Sequence, residues 1–177
     1  RKCHTERRKS EAIELRRAHL RVASQLKRAD RRSGKAGRRL AIYHASMKTV
    51  SRAKGRSAVA SAAYRAGERL TNERDGITHD FSRKQGVEHA EIVLPEGVNA
   101  DWARDRSDLW NAAEAAESRK DARVAREFEI ALPHELTAEQ RLELTREFAE
   151  DLANRYGGAV DFAIHQPHEA SDVRNHH

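Results

Sequence analysis

Residues 55–69 read GRSAVASAAYRAGER, and they predict the helix around which the rest of the chain is organised. Ser57 is placed to cap this helix, because a serine hydroxyl accepts a hydrogen bond from a free N–H group of the first turn. The alanines that follow favour a helix, since they lose no side-chain entropy on ordering. Tyr64 adds a phenol with basic residues on either side. We expect the small neighbours to let a ligand approach this phenol closely.

The composition predicts a soluble protein with one main domain. The chain has 177 residues and a mass of 20.1 kDa, which is large enough to bury a core. Cys3 is the single cysteine, which excludes an internal disulfide and a cysteine metal cluster. The sequence contains no apolar run of membrane-spanning length and no signal-peptide pattern. We therefore expect no membrane span and a cytoplasmic location.

Positive charge is concentrated at the N-terminus. Residues 1–40 hold 15 Lys and Arg against 4 Asp and Glu, whereas the remainder holds 19 against 24. The pattern predicts a basic helix at about residues 10–30 and then a linker, so that residues 1–40 form an extension and residues 41–177 form the domain. The extension is either a phosphate-binding arm or a solvated segment.

Strands and helices alternate in the domain. The pattern predicts an α+β fold with helices packed on one face of a sheet. Asp75-Gly76 has the chemistry of a hairpin turn, because both residues tolerate positive φ. Trp102 and Trp110 are predicted on the apolar side of one helix. Strands are expected at residues 41–50, 89–94, 124–132 and 159–165, and further helices at residues 101–119 and 137–156.

Histidines supply one candidate site. His165 ends a predicted strand, His168 follows it, and His176 and His177 come later in the chain. Imidazoles in such positions either converge on a divalent metal ion or lie in loops at the solvent edge. The spacing leaves both interpretations open.

Two carboxylates supply another candidate site. Glu127 and Glu129 alternate with Phe128 and Ile130, so the carboxylates share one face of a predicted strand. They would orient a metal-bound imidazole through its second ring nitrogen, or they would form an ordinary solvent-exposed face.

Tyr64 is a candidate nucleophile. Tyrosine forms covalent intermediates in some enzymes, but its ordinary pKa of about 10 requires a nearby cation or proton acceptor. The alternative is a packing residue with a hydrogen-bonded hydroxyl.

Seven blocks of sequence resemble plasmid conjugative relaxases of the MobA and TraA kind, the MobQ type, which belong to the HUH endonuclease superfamily. They occur in the expected order between residues 41 and 177. The blocks are AIYH (41–44), SR (51–52), GRSA (55–58), AAYRAGERL (62–70), EFEIALP (127–133), AIH (163–165) and NHH (175–177).

The resemblance implies a fold and a reaction. In the relaxase fold, a ferredoxin-like palm, an antiparallel central sheet carries a metal site and helices cover its other face. Tyr64 would attack one DNA strand at a plasmid transfer origin, which gives a 5′-phosphotyrosyl link and a free 3′ hydroxyl. His165 and His177 would be two of three ligands to a divalent ion, Mg or Mn. Glu127 or Glu129 would hold a ligand imidazole in its tautomer.

The resemblance also implies partners and a fragment. The third metal ligand is expected two residues past His177, so we expect an N-terminal fragment of a relaxase, truncated at its C-terminal end. Expected partners are single-stranded DNA at the transfer origin and accessory relaxosome proteins. Two alternatives stay open: a rolling-circle replication initiator of the same superfamily, or a non-catalytic plasmid DNA-binding protein. The phosphate contacts are expected from closeness to Tyr64, and they are Arg52, Lys54, Arg56 and Arg65.

Overall fold

The computed structural model describes residues 45–167, and within this range the chain alternates strands with helices. Short 3-10 turns at Arg52–Lys54 and Asp101–Arg104 precede the first two α-helices. The predicted N-terminal helix and the candidates His168, His176 and His177 lie outside the described residues. The elements are β1 (Ala45–Ser51), α1 (Ala58–Ala66), β2 (Arg69–Asn72), β3 (Ile77–Asp80), β4 (Val87–Val93), α2 (Arg106–Ala115), β5 (Arg123–Ile130), α3 (Ala138–Tyr156) and β6 (Val160–His165).

The strands pair in antiparallel fashion throughout the described range. β1 pairs with β5, β2 with β3, and β4 with β6. This pattern confirms the α+β class with antiparallel strands, although the hydrogen bonds connect three pairs and not one continuous sheet. Asp75 and Gly76 lie in the turn between β2 and β3, as predicted. The two hairpin strands themselves are absent from the prediction, because each is four residues long and mostly polar.

Strand β6 shows how the helices are arranged. Val160 and Phe162 pack against a buried cluster made of Ala149 and Ala153 of α3 and Val93 of β4. Between them, Asp161 accepts a hydrogen bond from the indole N–H of Trp110 in α2. Successive residues of a strand point to opposite faces, so α3 covers one face of β6 and α2 lies on the other.

Helix α1 has the predicted cap at Ser57. The Ser57 hydroxyl accepts a hydrogen bond from the Ala60 N–H at 3.2 Å. Gly67 ends the helix with φ 67°, and its N–H donates to the carbonyl of Ala63. A residue with a side chain is strained in this left-handed conformation, so glycine suits the position. The helix is shorter than residues 55–69, because Arg69 already begins β2.

The small residues of α1 serve the protein core. Ala58, Ala62 and Ala63 are completely buried, and Leu70 and Trp110 belong to the cluster around α1. The expectation that these alanines leave room for a ligand is therefore wrong. Their size lets α1 lie close to its own neighbours, which fixes the position of the helix that carries Tyr64.

The caps of α2 and α3 explain where these helices begin. The Asp105 side chain accepts a hydrogen bond from the Asp108 N–H, so α2 begins after Asp105 and not at Asp101 as predicted. Trp102 consequently lies outside the helix and is 55% exposed, which corrects its placement on an apolar helix side. Thr137 and Gln140 form a capping box at the start of α3, where the predicted helix begins. In the described range, no helix combines the length and apolar character needed to cross a membrane.

Candidate active site

Tyr64 lies near the C-terminal end of α1 with its side chain accessible. It is 54% exposed, although it belongs to a helix whose other face is core. The Phe81 ring meets the Tyr64 ring edge to face, with centroids 5.3 Å apart. Such a contact fixes the plane of a ring while leaving its hydroxyl free to meet a ligand. The phenol is therefore both oriented and reachable from solvent.

Lys84 brings a positive charge to Tyr64. Its Nζ lies 3.8 Å from the centroid of the Tyr64 ring and donates to the Tyr64 carbonyl at 2.8 Å. The same atom lies 3.3 Å from Nε2 of His165. Burial lowers the pKa of the Lys84 ammonium, and the charge of Arg65 lowers that pKa further. Sequence reasoning missed Lys84, because 20 residues and a hairpin separate it from Tyr64.

His165 ends β6, as the strand pattern predicts, and it lies beside α1. Its Nε2 lies 2.7 Å from the carbonyl oxygen of Arg65, the residue after Tyr64. The strand end therefore contacts the backbone of the helix that carries the phenol. Asp161, Ala163 and His165 alternate with Val160 and Phe162 along β6. His165 therefore lies on the strand face opposite α3, and the candidate site occupies that face.

A metal site is not completed by the described residues. Of the two predicted ligands, His165 lies within the described range and His177 lies outside it. Among residues 45–167, no three His, Cys, Asp or Glu side chains are arranged to hold a metal ion. His165 is therefore the one predicted ligand whose position the described residues give.

Glu127 lies where the predicted strand face requires. Its carboxylate accepts hydrogen bonds from Arg56 at 2.9 Å and from Arg65 at 3.0 Å. Burial on its own raises the pKa of Glu127, but the bonds from the two arginines outweigh it and hold that pKa below the ordinary 4.5. The carboxylate is therefore ionised at neutral pH. It joins the loop before α1 to the C-terminal end of the helix.

Glu129 shares the strand face with Glu127 but lies in a more open position. It accepts a hydrogen bond from Lys48 of β1 at 2.7 Å, and the two side chains are 43% and 54% exposed respectively. On the opposite face of β5, Phe128 meets Phe148 of α3, with ring centroids 6.3 Å apart. The predicted separation of carboxylates from apolar residues along this strand is confirmed.

Arg52 is a structural residue, which corrects its expected role as a phosphate contact. Its side chain is 8% exposed and forms an ion pair at 2.7 Å with Glu114 of α2. The guanidinium also donates to the carbonyls of Glu114, Glu117 and Arg119. A guanidinium with five donors so occupied has little left for a phosphate.

Glu114, the partner of Arg52, is a structural residue that sequence reasoning missed. It is 1% exposed, and its other carboxylate oxygen accepts the backbone N–H of Ala58 at 2.7 Å. Glu114 thereby connects α2 to the first turn of the Tyr64 helix. A lone glutamate in a helix carries no sequence signal of such a role, because its partners are 56 and 62 residues away.

The other predicted DNA contacts surround the Tyr64 helix. Lys54 is exposed in the turn before α1. Arg56 keeps 37% of its side chain exposed while it binds Glu127. Arg65 is more enclosed, with Glu127 on one side and the Trp110 ring 5.7 Å from its guanidinium carbon. Together with Lys84, these cations outnumber the single carboxylate of Glu127, so this surface favours an anion.

The chain is similar in sequence to known proteins. Residues 56–177 match the model of the MobA/MobL family. The mobilization protein MobL of Acidithiobacillus ferridurans is 52% identical over 133 residues, covering 75% of this chain and 34% of its own length. The conjugal transfer protein TraA of Rhizobium radiobacter is 44% identical over 137 residues, covering 72% of this chain and 12% of its own length.

A solved structure adds similarity in three dimensions. It concerns the molecular basis of vancomycin resistance transfer in Staphylococcus aureus, and it is 38% identical with a TM-score of 0.69. The likeness covers 77% of this chain and 67% of the solved one. The chain thus spans about a third or less of the two relatives named above but most of this structure. On the family match and the shared fold, the chain belongs to the MobA/MobL family.

Proposed function

We propose that this domain is the nicking domain of a plasmid mobilisation relaxase. The observation that carries the proposal is the position of Tyr64, an accessible phenol held by Phe81 beside the cation Lys84 and the strand end at His165. The names of the relatives, mobilization and conjugal transfer proteins, support the same role. Single-stranded DNA at a transfer origin is the proposed substrate, and accessory proteins are proposed partners.

The proposed reaction is a transesterification. The phenolic oxygen of Tyr64 forms a bond to the phosphorus of one phosphodiester, and the bond from phosphorus to the 3′ oxygen breaks. The phenol loses its proton, and the departing 3′ oxygen becomes a hydroxyl. The protein is left joined to the 5′ phosphate, and the reverse reaction reseals the strand without an external energy source.

The surrounding side chains support this step by position and charge. Preorganised cations stabilise the charge that develops on phosphate oxygens in a transition state. Arg56 and Arg65 are held by Glu127, so their guanidinium groups are already placed beside α1. We propose Lys54, Arg56 and Arg65 as contacts to neighbouring phosphates. Glu129 adds a carboxylate on the same strand face, which would help to orient a ligand imidazole.

The metal ion also belongs to the proposal. His165, together with His177, would hold Mg or Mn, and the ion would polarise the non-bridging phosphate oxygens when bound.

Replacing Tyr64 by Phe tests the proposal. The full-length protein is incubated with Mn²⁺ and a labelled, randomised library of single-stranded DNA, and covalent adducts are separated on a denaturing gel. We expect an adduct with the wild-type protein and none with Tyr64→Phe, because phenylalanine lacks the attacking oxygen. DNA binding should persist. Tyr156→Phe is the matched control. Tyr156 is exposed to a similar extent, at 48%, but it lies at the end of α3 and outside the candidate site.

Two results would contradict the proposal. An adduct that persists in Tyr64→Phe would move the nucleophile to another residue. DNA binding with no adduct in the wild-type protein would favour the non-catalytic alternative, in which the Tyr64 ring stacks on a base.

A further inference from the structure

Lys84 differs from the other cations near Tyr64 because, within residues 45–167, its contacts are with Tyr64 and His165 and not with a carboxylate. Its Nζ contacts the Tyr64 ring face at 3.8 Å and the Tyr64 carbonyl at 2.8 Å, and it lies 3.3 Å from His165. None of these three partners carries a negative charge. One ammonium therefore touches the phenol, the helix end and the strand end that make up the proposed centre.

The neighbouring arginines have carboxylate partners, whereas Lys84 has none among the described ion pairs. Arg52 forms an ion pair with Glu114, and Arg56 and Arg65 share the carboxylate of Glu127. Among the ion pairs of residues 45–167, none places a carboxylate on Lys84. A partly buried cation without a counter-ion raises the local positive potential and favours an incoming anion. The proposed reaction brings a phosphate to this place.

The loop that carries Lys84 is held in shape before any ligand arrives. The Asp80 carboxylate accepts from both the N–H and the hydroxyl of Ser82. The Phe81 N–H donates to the carbonyl of Glu68, and the Lys84 N–H donates to the carbonyl of Phe81. Because these bonds fix the loop, little conformational entropy is lost when Lys84 binds a ligand.

Helix α1 approaches this loop closely at Gly67. A Cβ atom built on Gly67 would lie 3.8 Å from the Cβ of Lys84 and 3.2 Å from a methyl carbon of Val87. The end of α1 and the Lys84 loop therefore form one packed unit. This packing sets the distance between the Lys84 backbone and Tyr64, so the distance from the Lys84 ammonium to the Tyr64 ring depends only in part on the lysine side chain.

We propose that Lys84 contacts the phosphate that Tyr64 attacks, with its ammonium on a non-bridging oxygen. This inference rests on the proposed function, and it adds to the reaction a residue of the loop between β3 and β4. The ammonium acts as a fixed positive charge and hydrogen-bond donor. Its contact strengthens as charge accumulates on the phosphate oxygens, so Lys84 serves the rate of attack more than the affinity for DNA.

The test compares Lys84→Gln and Lys84→Arg with Arg83→Gln in the full-length protein. Arg83 is the matched control, because it is an exposed cation of the same loop. Rates of adduct formation are measured at increasing concentrations of the randomised single-stranded DNA. For Lys84→Gln we expect the limiting rate to fall about 100-fold, the size of effect that follows loss of one donor to a transition-state oxyanion. Lys84→Arg should restore part of that rate, and Arg83→Gln should keep it.

A second measurement does not depend on turnover. In a Tyr64→Phe background, the affinity for the same DNA is measured against salt concentration. Loss of one phosphate contact should flatten the logarithmic slope by about 0.7 for a single strand. Thermal unfolding followed by circular dichroism shows whether the variants fold.

The two measurements separate this inference from the proposed function. If the wild-type protein forms the adduct and Lys84→Gln forms it at the same rate, the role of Lys84 is overturned and the relaxase proposal stands. If the wild-type protein forms no adduct, the relaxase proposal fails, and the salt slope alone decides whether Lys84 contacts phosphate. An unchanged slope then overturns the contact as well.

Discussion

At the scale of single residues, the candidate site contains two kinds of charged side chain: those that bond within the protein and those that stay available to a ligand. Glu114 and Arg52 are buried and give their bonds to the protein, whereas Lys84 and Arg56 keep part of their charge available. Both kinds of residue surround the same helix. A basic residue near Tyr64 in the sequence therefore need not contact DNA. Its role depends on which side chain it is paired with in the structure.

Glu114 gives the sharpest stability prediction. We expect Glu114→Ala to lower the free energy of unfolding by about 3 kcal/mol or more, because it leaves the Arg52 guanidinium and the Ala58 N–H buried without their partner. Urea unfolding measures the change. Lys48→Ala is the control, since it breaks a half-exposed ion pair in contact with solvent, and we expect it to cost much less stability than Glu114→Ala. Equal costs for both variants would show that the buried pair does not hold α1.

At the scale of elements, two helix ends use the same device in different surroundings. α1 ends at Gly67 with φ 67°, and α3 ends at Gly157 with φ 64°. Each glycine donates its N–H to a carbonyl of the last turn of its helix. The difference lies in space, because a Cβ at Gly157 would meet nothing within 4 Å, whereas one at Gly67 would lie 3.2 Å from Val87.

This pair of glycines predicts unequal effects of alanine. Both substitutions impose a left-handed residue, at about 1 kcal/mol each. We expect Gly67→Ala to lose roughly 1 kcal/mol more than Gly157→Ala, because the Val87 side chain at the start of β4 must also shift. Adduct formation should slow in Gly67→Ala and stay unchanged in Gly157→Ala. Identical stability and identical rates in the two variants would refute the packed unit of α1 and the Lys84 loop.

At the scale of the whole molecule, the strands have one face packed against the core and one face that carries the candidate site. α3 packs on Phe128, Phe162 and Val160 and closes one face. The other face carries Glu127 and His165, with the end of α1 lying over them. The candidate site is therefore supported from behind by a packed core, as a rigid binding site requires.

Local features of this fold could be predicted from sequence, and distant contacts could not. The caps at Ser57 and at Thr137 were predictable because a helix cap involves residues that are neighbours in the chain. The alternation along β5 likewise predicted which face Glu127 would take. By contrast, closeness to Tyr64 predicts Arg52 as a phosphate contact, and its true partner Glu114 leaves no local signal because it is 62 residues away. Lys84 lies beyond a hairpin whose strands have little apolar alternation.

The most direct measurement locates the covalent bond. The adduct formed by the full-length protein with single-stranded DNA is digested with nuclease and protease, and the peptides are sequenced by mass spectrometry. The chain contains three tyrosines, Tyr43, Tyr64 and Tyr156. The account predicts a nucleotide phosphate on the peptide with Tyr64 and on neither of the others. A modified Tyr43 or Tyr156, or a nucleotide on any other residue, would contradict it.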